Sequence, residues 1–520
     1  MKRRTSFSGA SLLLLAALGL LLVFPLVRIL LTAFSGGFSV DAGELTAALK
    51  NSLISTVIAT ALTVTLAYLA AYAMTRVGVW GRGLFGVLLV LPMLIPSISN
   101  GMGLVILLGN NGILTRLFGL DGGIYGLFGI VLGSFLYAFP VAYLMLADVM
   151  RYEDASPHEA ARVLGIGRWR RFTGLTLPYL ARPLLSAVFA TFTLIITDYG
   201  VPLTVGGKYI TVPVVLYREV VGQLDFGKGA VYGCVLLVPA VAAFLFDLFG
   251  KKEGKTSFVS KPFTGSVGMG ARIVATAFCT LTSLVMLMPT VAFLLRGFAT
   301  KYPSDLSPTF SHLIRAFRLR AGEYLWHSVL IALLTAVIFT AIAFFAAYLA
   351  ARTRARSAKL LHLLAMTTAA VPGLVLGLGY ALAFRGGAFY GTFAILVMVN
   401  GVHFLASPYL MIYNSLGKLN AELEGVGQTL GLSRVRVVLG VLLPQCHTTL
   451  LEMASYFFVN CMMTISAVSF LATASTRPLS LMITQFEAQQ QMECAAIVSL
   501  MILAVNLLVR GAVGIFKRRA

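Results

Sequence analysis

Residues 156–178 open as Ser156-Pro157-His158-Glu159-Ala160-Ala161-Arg162-Val163-Leu164-Gly165-Ile166-Gly167-Arg168-Trp169-Arg170-Arg171-Phe172 and run on to Leu177-Pro178. The stretch is polar where the chain on either side is apolar, and its local chemistry predicts a two-helix elbow. Ser156 can cap a helix that starts at Pro157 and carries Glu159 at its third position, a capping box with proline where a missing N–H costs nothing. Gly165 stands where a left-handed C-terminal cap would close that helix after about two turns. A second short helix, opening near Arg168, would end before Pro178.

The same signals recur later in the chain at one constant offset, where Gly431, Arg434, Arg436, Leu443 and Pro444 answer Gly165, Arg168, Arg170, Leu177 and Pro178. The second loop runs from Leu419 to Arg436, with Asn420 and Ser433 as candidate caps. Further upstream a second, slightly longer offset holds. Asn51-Ser52-Leu53 returns as His327-Ser328-Val329, Ala67-Tyr68-Leu69-Ala70-Ala71-Tyr72 returns as Ala343-Phe344-Phe345-Ala346-Ala347-Tyr348, and Pro96, Gly101 and Gly103 return as Pro372, Gly377 and Gly379. The chain is therefore a duplication.

What is duplicated follows from composition. Of 520 residues, 58% are apolar and only 11% charged, and the mean hydropathy is +0.90. Soluble domains carry about 25% charged residues, so this chain cannot cover its own surface in water and is not disordered. With about 20 apolar residues needed per crossing, the windows give twelve spans, near 11–34, 52–75, 84–108, 124–149, 183–203, 229–249, 272–295, 327–351, 359–384, 388–412, 447–471 and 492–514. Glycines and prolines interrupt the fifth, ninth and tenth. The basic Met1-Lys2-Arg3-Arg4 precedes an apolar run too long for a cleaved leader, which reads as an anchor that stays. Six spans per half give both copies the same orientation, hence a pseudo-two-fold axis along the membrane normal. The first half is assigned to residues 1–249 with its loop near 152–178, a Gly/Ser/Lys-rich linker to 250–271, and the second half to 272–520 with its loop near 413–444.

The net charge of +21 has a topological explanation. With the N-terminus inside, most of the 40 lysines and arginines fall in cytoplasmic segments, and both termini are cytoplasmic. No nucleic acid or other polyanion is needed as a partner. Only the matched Arg168, Arg170, Arg434 and Arg436 read as part of a working surface.

Catalytic chemistry finds no foothold. The five cysteines and six histidines are scattered, without disulfide, zinc or H-E-x-x-H spacing, so no metal site is expected. Gly250-Lys251-Lys252-Glu253-Gly254-Lys255-Thr256 ends like a phosphate-binding loop but has three residues between its glycines where four are needed, and follows a span where a strand is needed. The chain is expected to be no enzyme and to bind no cofactor. Within the spans Asp198 is the most internal carboxylate, followed by Glu452, with Asp148, Asp247 and Glu493 nearer span ends. Leu91-Pro92-Met93-Leu94-Ile95-Pro96 and Val371-Pro372-Gly373 should kink the third and ninth spans. The polar segments 204–228 and 472–491 are expected outside.

Glu159-Ala160-Ala161 with Gly165 and Leu177-Pro178 resembles the EAA loop of the membrane subunits of binding-protein-dependent ABC importers, and the second loop resembles a degenerate copy. The resemblance extends over nearly the whole chain and is to fused permeases of the ferric iron, thiamine and phosphonate type. It implies an all-α integral membrane protein of about 12 transmembrane helices in two parallel six-helix repeats, a duplicated MetI-like permease fold. It implies that each loop seats one of two ATPase subunits, which supply ATP and Mg, and that an external or periplasmic solute-binding protein delivers the cargo across the cell inner membrane. Glu159, Ala160, Ala161, Gly165 and Arg168 would carry coupling in the first half, and Glu424, Gly425, Gly431 and Arg434 in the second. Gly425-Val426-Gly427 falls under the Glu-Ala-Ala triplet, which leaves Glu424 one position early.

Thr197-Asp198-Tyr199-Gly200-Val201-Pro202 is similar to a stretch of iron- and phosphonate-type permeases. With its counterpart Thr464-Ile465-Ser466-Ala467-Val468-Ser469, it suggests Thr197, Asp198, Tyr199, Thr464, Ser466 and Ser469 as pathway residues. The resemblance slightly favours ferric iron or a phosphonate as cargo, with a thiamine or polyamine importer as the alternative. A secondary transporter is the competing class, opposed by the parallel repeat and the scarcity of internal charge.

Overall fold

The computed structural model describes residues 8–35, 40–119, 123–250, 263, 268–352, 356–420 and 422–519. Most of the linker, including the Gly-Lys-Thr segment, and Lys2, Arg3 and Arg4 lie outside the described residues. Among the described residues, nine helices are long and apolar enough to cross a bilayer: Gly9–Ser35, Ala42–Val77, Ser97–Phe118, Leu127–Arg151, Trp169–Ile196, Phe226–Phe246, Met269–Phe298, Ala321–Arg352 and Met492–Lys517. Three bent pairs raise the total to twelve. They are Ser357–Ala370 with Gly373–Phe384, Phe393–His403 with Ala406–Lys418, and Arg434–Gln445 with His447–Met463. Numbered in chain order, these are spans 1 to 12, six to each half.

The kinks fall at the expected prolines. The third span is preceded by a helix at Arg82–Leu88 and a 3-10 turn at Leu91–Leu94, and it restarts after Pro96. Span 9 restarts after Pro372 with a bend of 111°, and span 10 is bent by 56°. The fifth span differs from its expected window. It runs unbroken from Trp169 to Ile196, past Pro183, and the chain breaks only beyond it, before the short helix Gly200–Val205. The eleventh span opens at His447 as its window does but ends at Met463, short of it, and it joins the preceding helix Arg434–Gln445 at a bend of 77°.

Two details of the elbow differ from the expectation. Ser156 is not the cap of the first elbow helix, Ser156–Val163. Ala155 stands at the N-cap, with no side-chain bond to the helix, and Asp154 Oδ1 instead accepts from Ser156 N at 3.1 Å and Ser156 Oγ at 2.9 Å. Nor does the helix after Gly165 end before Pro178. It continues as span 5 because a π turn at Phe172–Thr176 absorbs one residue, and proline then enters the first turn of the next segment, where its missing N–H is harmless. Span 11 contains the same π turn at Val438–Leu442, but there the helix breaks at Cys446.

Lipid is as apolar as leucine, so the spans associate by close van der Waals fit, and small residues allow it. On span 2, Ala67, Ala70 and Ala71 are buried, as are their counterparts Ala343, Ala346 and Ala347 on span 8. The halves are locked reciprocally. A Cβ built on Gly103 of span 3 would lie 2.6 Å from Pro289 Cα on span 7, and one on Gly379 of span 9 would lie 3.0 Å from Pro25 on span 1. The first span of each half therefore packs on the third span of the other, as two copies in one orientation require. A second contact has exchanged its residues. Gly200 rests on Ser97 Oγ in the first half, whereas in the second Gly373, at the position of Ser97, rests on Ser466, at the position of Gly200.

These close approaches give a first prediction. Gly103→Ala drives a methyl into backbone, an overpacking that costs about 1–3 kcal/mol, whereas Gly379→Ala meets atoms that need shift only slightly. Thermal unfolding of the purified chain in detergent should show a lower Tm for Gly103→Ala than for Gly379→Ala. Equal values would remove the distinction.

Candidate functional site

Each elbow is closed in the same way, at equivalent positions of the repeat. In the first, Gly165 adopts φ +70°, its N–H bonds Arg162 O at 3.1 Å, and Ile166 N–H reaches back to Ala161 O at 2.9 Å. In the second, helix Leu423–Thr429 ends on Gly431 at φ +72°, with Gly431 N–H on Gln428 O at 3.1 Å and Leu432 N–H on Gly427 O at 2.9 Å. These paired bonds form the Schellman closure, which requires a residue in the left-handed region and so favours glycine. Ser433 caps the following helix, its Oγ accepting from Arg436 N at 3.3 Å. Asn420 Oδ1 accepts from Glu422 N at 2.9 Å, ahead of the elbow helix.

The closure fixes which side chains face outward. Ala161 and its counterpart Gly427 are buried, and a Cβ on Gly427 would lie 2.4 Å from Val437 Cγ2. Glu159 and Ala160 are exposed, as are Gly425 and Val426. Beyond them, Leu164 is 76% exposed and its counterpart Leu430 70%, with Trp169 and Val435 exposed beside them. The elbows join the fourth span to the fifth in each half, so two copies in one orientation place both at the same end of the molecule. Two matched apolar patches there are the mark of an interaction surface.

The two elbows are not equivalent. The first presents Glu159 outward where the second has Gly425. Glu424 is not a substitute on that face, because it turns inward to Arg352 at 3.5 Å with its side chain 14% exposed. Arg434 is exposed at the elbow's rim, and Arg168 opens the helix that leads into span 5.

The six candidate pathway residues do not form one lining. Thr197 Oγ1 donates to Thr193 O at 2.8 Å on its own helix. Asp198 Oδ2 accepts from Val201 N at 3.0 Å, capping the short helix Gly200–Val205. Its carboxylate borders a small cavity rich in hydroxyls, those of Ser52, Ser55, Thr56, Ser134 and Thr211, all from the first half. Thr464 is held through its carbonyl by Ser480 Oγ at 2.7 Å, and Ser466 packs on Gly373. Only Tyr199 and Ser469 meet across the halves, at 3.1 Å. Ser469 Oγ donates to Ile465 O at 2.7 Å, so the bridge is donated by Tyr199. Tyr199 is buried and stacks on Tyr217 at 4.8 Å.

No group of three or more potential metal-ligating His, Cys, Asp or Glu side chains occurs among the described residues.

Comparison with known proteins finds one family model in two places along the chain. The model of the binding-protein-dependent transport system inner membrane component matches twice, over residues 63–251 and 342–520. The ferric transport system permease protein FbpB of Actinobacillus pleuropneumoniae is 24% identical over 90% of this chain and 72% of its own length. The Fe(3+)-transport system permease protein FbpB 2 of Haemophilus influenzae is 22% identical, over 94% of this chain and 95% of its own. The thiamine transport system permease protein ThiP of Brucella abortus is 25% identical over 74% and 73%.

Proposed function

Since the chain belongs to the family of binding-protein-dependent transport system inner membrane components, as a fused permease of two halves, we propose that it imports ferric iron, with each elbow seating one ATPase subunit. The pair of matched elbows carries this reading. Each is closed on a left-handed glycine and presents an exposed leucine at the equivalent position of the repeat, which suits two copies of one partner related by the pseudo-two-fold. Ferric iron is favoured over thiamine because the two ferric relatives align with 90% and 94% of the chain and the thiamine relative with 74%.

In this reading the elbows and both termini are cytoplasmic, and the segments 204–228 and 472–491 receive a loaded external binding protein. ATP-driven closure of the two ATPases moves the elbows, and the halves rock about the reciprocal contacts of Gly103 and Gly379. The Tyr199–Ser469 bridge then opens and closes the passage. Cargo passes near Asp198, whose carboxylate is a hard oxygen ligand suited to a trivalent cation. ATP and Mg are held by the partner subunits.

The test is transport in proteoliposomes that hold the permease with its ATPase and are supplied with the binding protein. Ferric iron should accumulate only with ATP inside the compartment that contains the ATPase. Uptake indifferent to ATP would overturn the reading, and uptake of thiamine but not iron would overturn the choice of cargo. Asp198→Asn isolates the charge, because asparagine retains an acceptor for Val201 N–H. It should lower uptake by at least about tenfold, which corresponds to about 1.4 kcal/mol, with membrane abundance unchanged. Wild-type uptake by this variant would remove Asp198 from the pathway.

A further inference from the structure

Behind each elbow lies an ion pair, buried in the first half and half-buried in the second, that ties it to the second span of its own half. Arg76, near the end of span 2, pairs with Glu153, and the two side chains are 3% and 5% exposed. Glu153 Oε1 in turn meets His158 Nε2 on the elbow helix at 2.7 Å. In the second half Arg352, the repeat counterpart of Arg76 at the end of span 8, pairs with Glu424, the repeat counterpart of His158. The second half has thus placed the carboxylate directly on the elbow helix, where the first half places a histidine and draws its carboxylate from the preceding turn.

The two latches are completed differently. Arg352 donates to carbonyls of its own loop, Leu416 at 2.9 Å, Leu419 at 3.1 Å and Asn420 at 3.0 Å. Arg76 instead donates to the carbonyl of Phe263, which belongs to the connection between the halves. Phe263 N–H donates to Glu153 O at 2.8 Å, and its ring stacks on His158 at 3.8 Å with 14° between the planes. The Arg76 guanidinium lies over the same ring at 4.8 Å, a cation–π contact that is strongest where water is excluded. One residue therefore touches the span, the turn and the elbow helix together.

We propose that Arg76 and Arg352 are the positioning residues that hand elbow motion to the second spans, and that Phe263 pins the first latch, making the connection between the halves a working part of coupling. Burial makes the Arg76 pair stiff, since separating its partners would strand a charge away from water, and the half-buried Arg352 is held instead by three carbonyls besides Glu424. A load on an elbow is therefore passed to its span and not absorbed in the loop. In the first half that transfer also passes through Phe263, so the two elbows couple through different parts. This inference rests on the elbows seating ATPases.

The test compares Phe263→Ala, Phe263→Trp and the wild type in the reconstituted complex with ATPase and binding protein, measuring cargo moved per ATP hydrolysed. The alanine variant should hydrolyse ATP at a rate at least equal to the wild type while moving several-fold less cargo per ATP, and tryptophan, which restores a ring for His158 and Arg76, should recover the ratio. A purely structural role would lower abundance and both rates together and leave the ratio unchanged. An unchanged ratio in Phe263→Ala would overturn the pin. In the second half, Glu424→Gln should lower the ratio with Phe263 intact, and an unchanged ratio there would overturn the Arg352 latch. A wild-type complex without binding-protein-dependent ATP hydrolysis would instead mean that the proposed function itself has failed.

Discussion

Gly165→Val is expected to reduce ATP-driven uptake at least about tenfold while the chain reaches the membrane in wild-type amount. The backbone at Gly165 has φ +70°, and nothing lies within 4 Å of a Cβ built there. The penalty is therefore conformational. A β-branched residue held in the left-handed region costs of order 1–3 kcal/mol, and each 1.4 kcal/mol is about a factor of ten in an equilibrium. The variant escapes that cost by abandoning the closure, which frees Ile166 from Ala161 and turns the outward face of the elbow away from its partner. Gly165→Asn should keep most of the activity, because asparagine tolerates the left-handed region. Uptake assays alongside immunoblots of membranes decide it, and valine and asparagine variants of equal activity would show that the closure does not matter.

Leu164→Asp combined with Leu430→Asp should abolish co-purification of the ATPase, while each single change weakens it. Both leucines stand out from the elbows at equivalent positions. An unpaired carboxylate buried on docking costs several kcal/mol, and because each elbow seats its own ATPase subunit, a single change leaves the other seat intact. Pull-down of the ATPase with the solubilised permease reads this directly. Undiminished recovery with the double variant would mean that the ATPase docks elsewhere.

Most of this architecture is legible in the sequence because it rests on local signals. Long apolar runs give the spans, and Gly165 and Gly431 give the closures, since a left-handed cap is specified by the glycine and its immediate neighbours. Structure and expectation part where neighbouring signals compete. Asp154, two residues upstream, offers a carboxylate that engages both the N–H and the hydroxyl of Ser156, so the serine side chain is drawn away from capping. At Pro178 the π turn offers a route past a residue that ordinarily ends a helix. Pro444 lies two residues before the bend at Cys446, yet the equivalent Pro178 leaves span 5 unbroken, so the proline alone does not announce it.

The latches are hidden in the sequence for a different reason. Arg76 and Arg352 read as two of many topological charges, and the partners of Arg76 are 77 and 187 residues away. One signal is available. The two arginines are separated by the same offset that relates the rest of the early repeat. Charge matched by the duplication therefore extends beyond Arg168, Arg170, Arg434 and Arg436 to a pair inside the molecule. For Asp198 the sequence shows a carboxylate within an apolar stretch, but not that Val201 N–H, three residues on, already engages one of its oxygens.

The proposed function requires one chain to carry two ATPase seats. Native mass spectrometry of the complex, solubilised gently and kept in nucleotide, measures this without any variant. Two ATPase copies per permease chain are predicted. A complex that saturates at one copy, or a permease that retains none, would show that the two elbows are not a pair of ATPase seats.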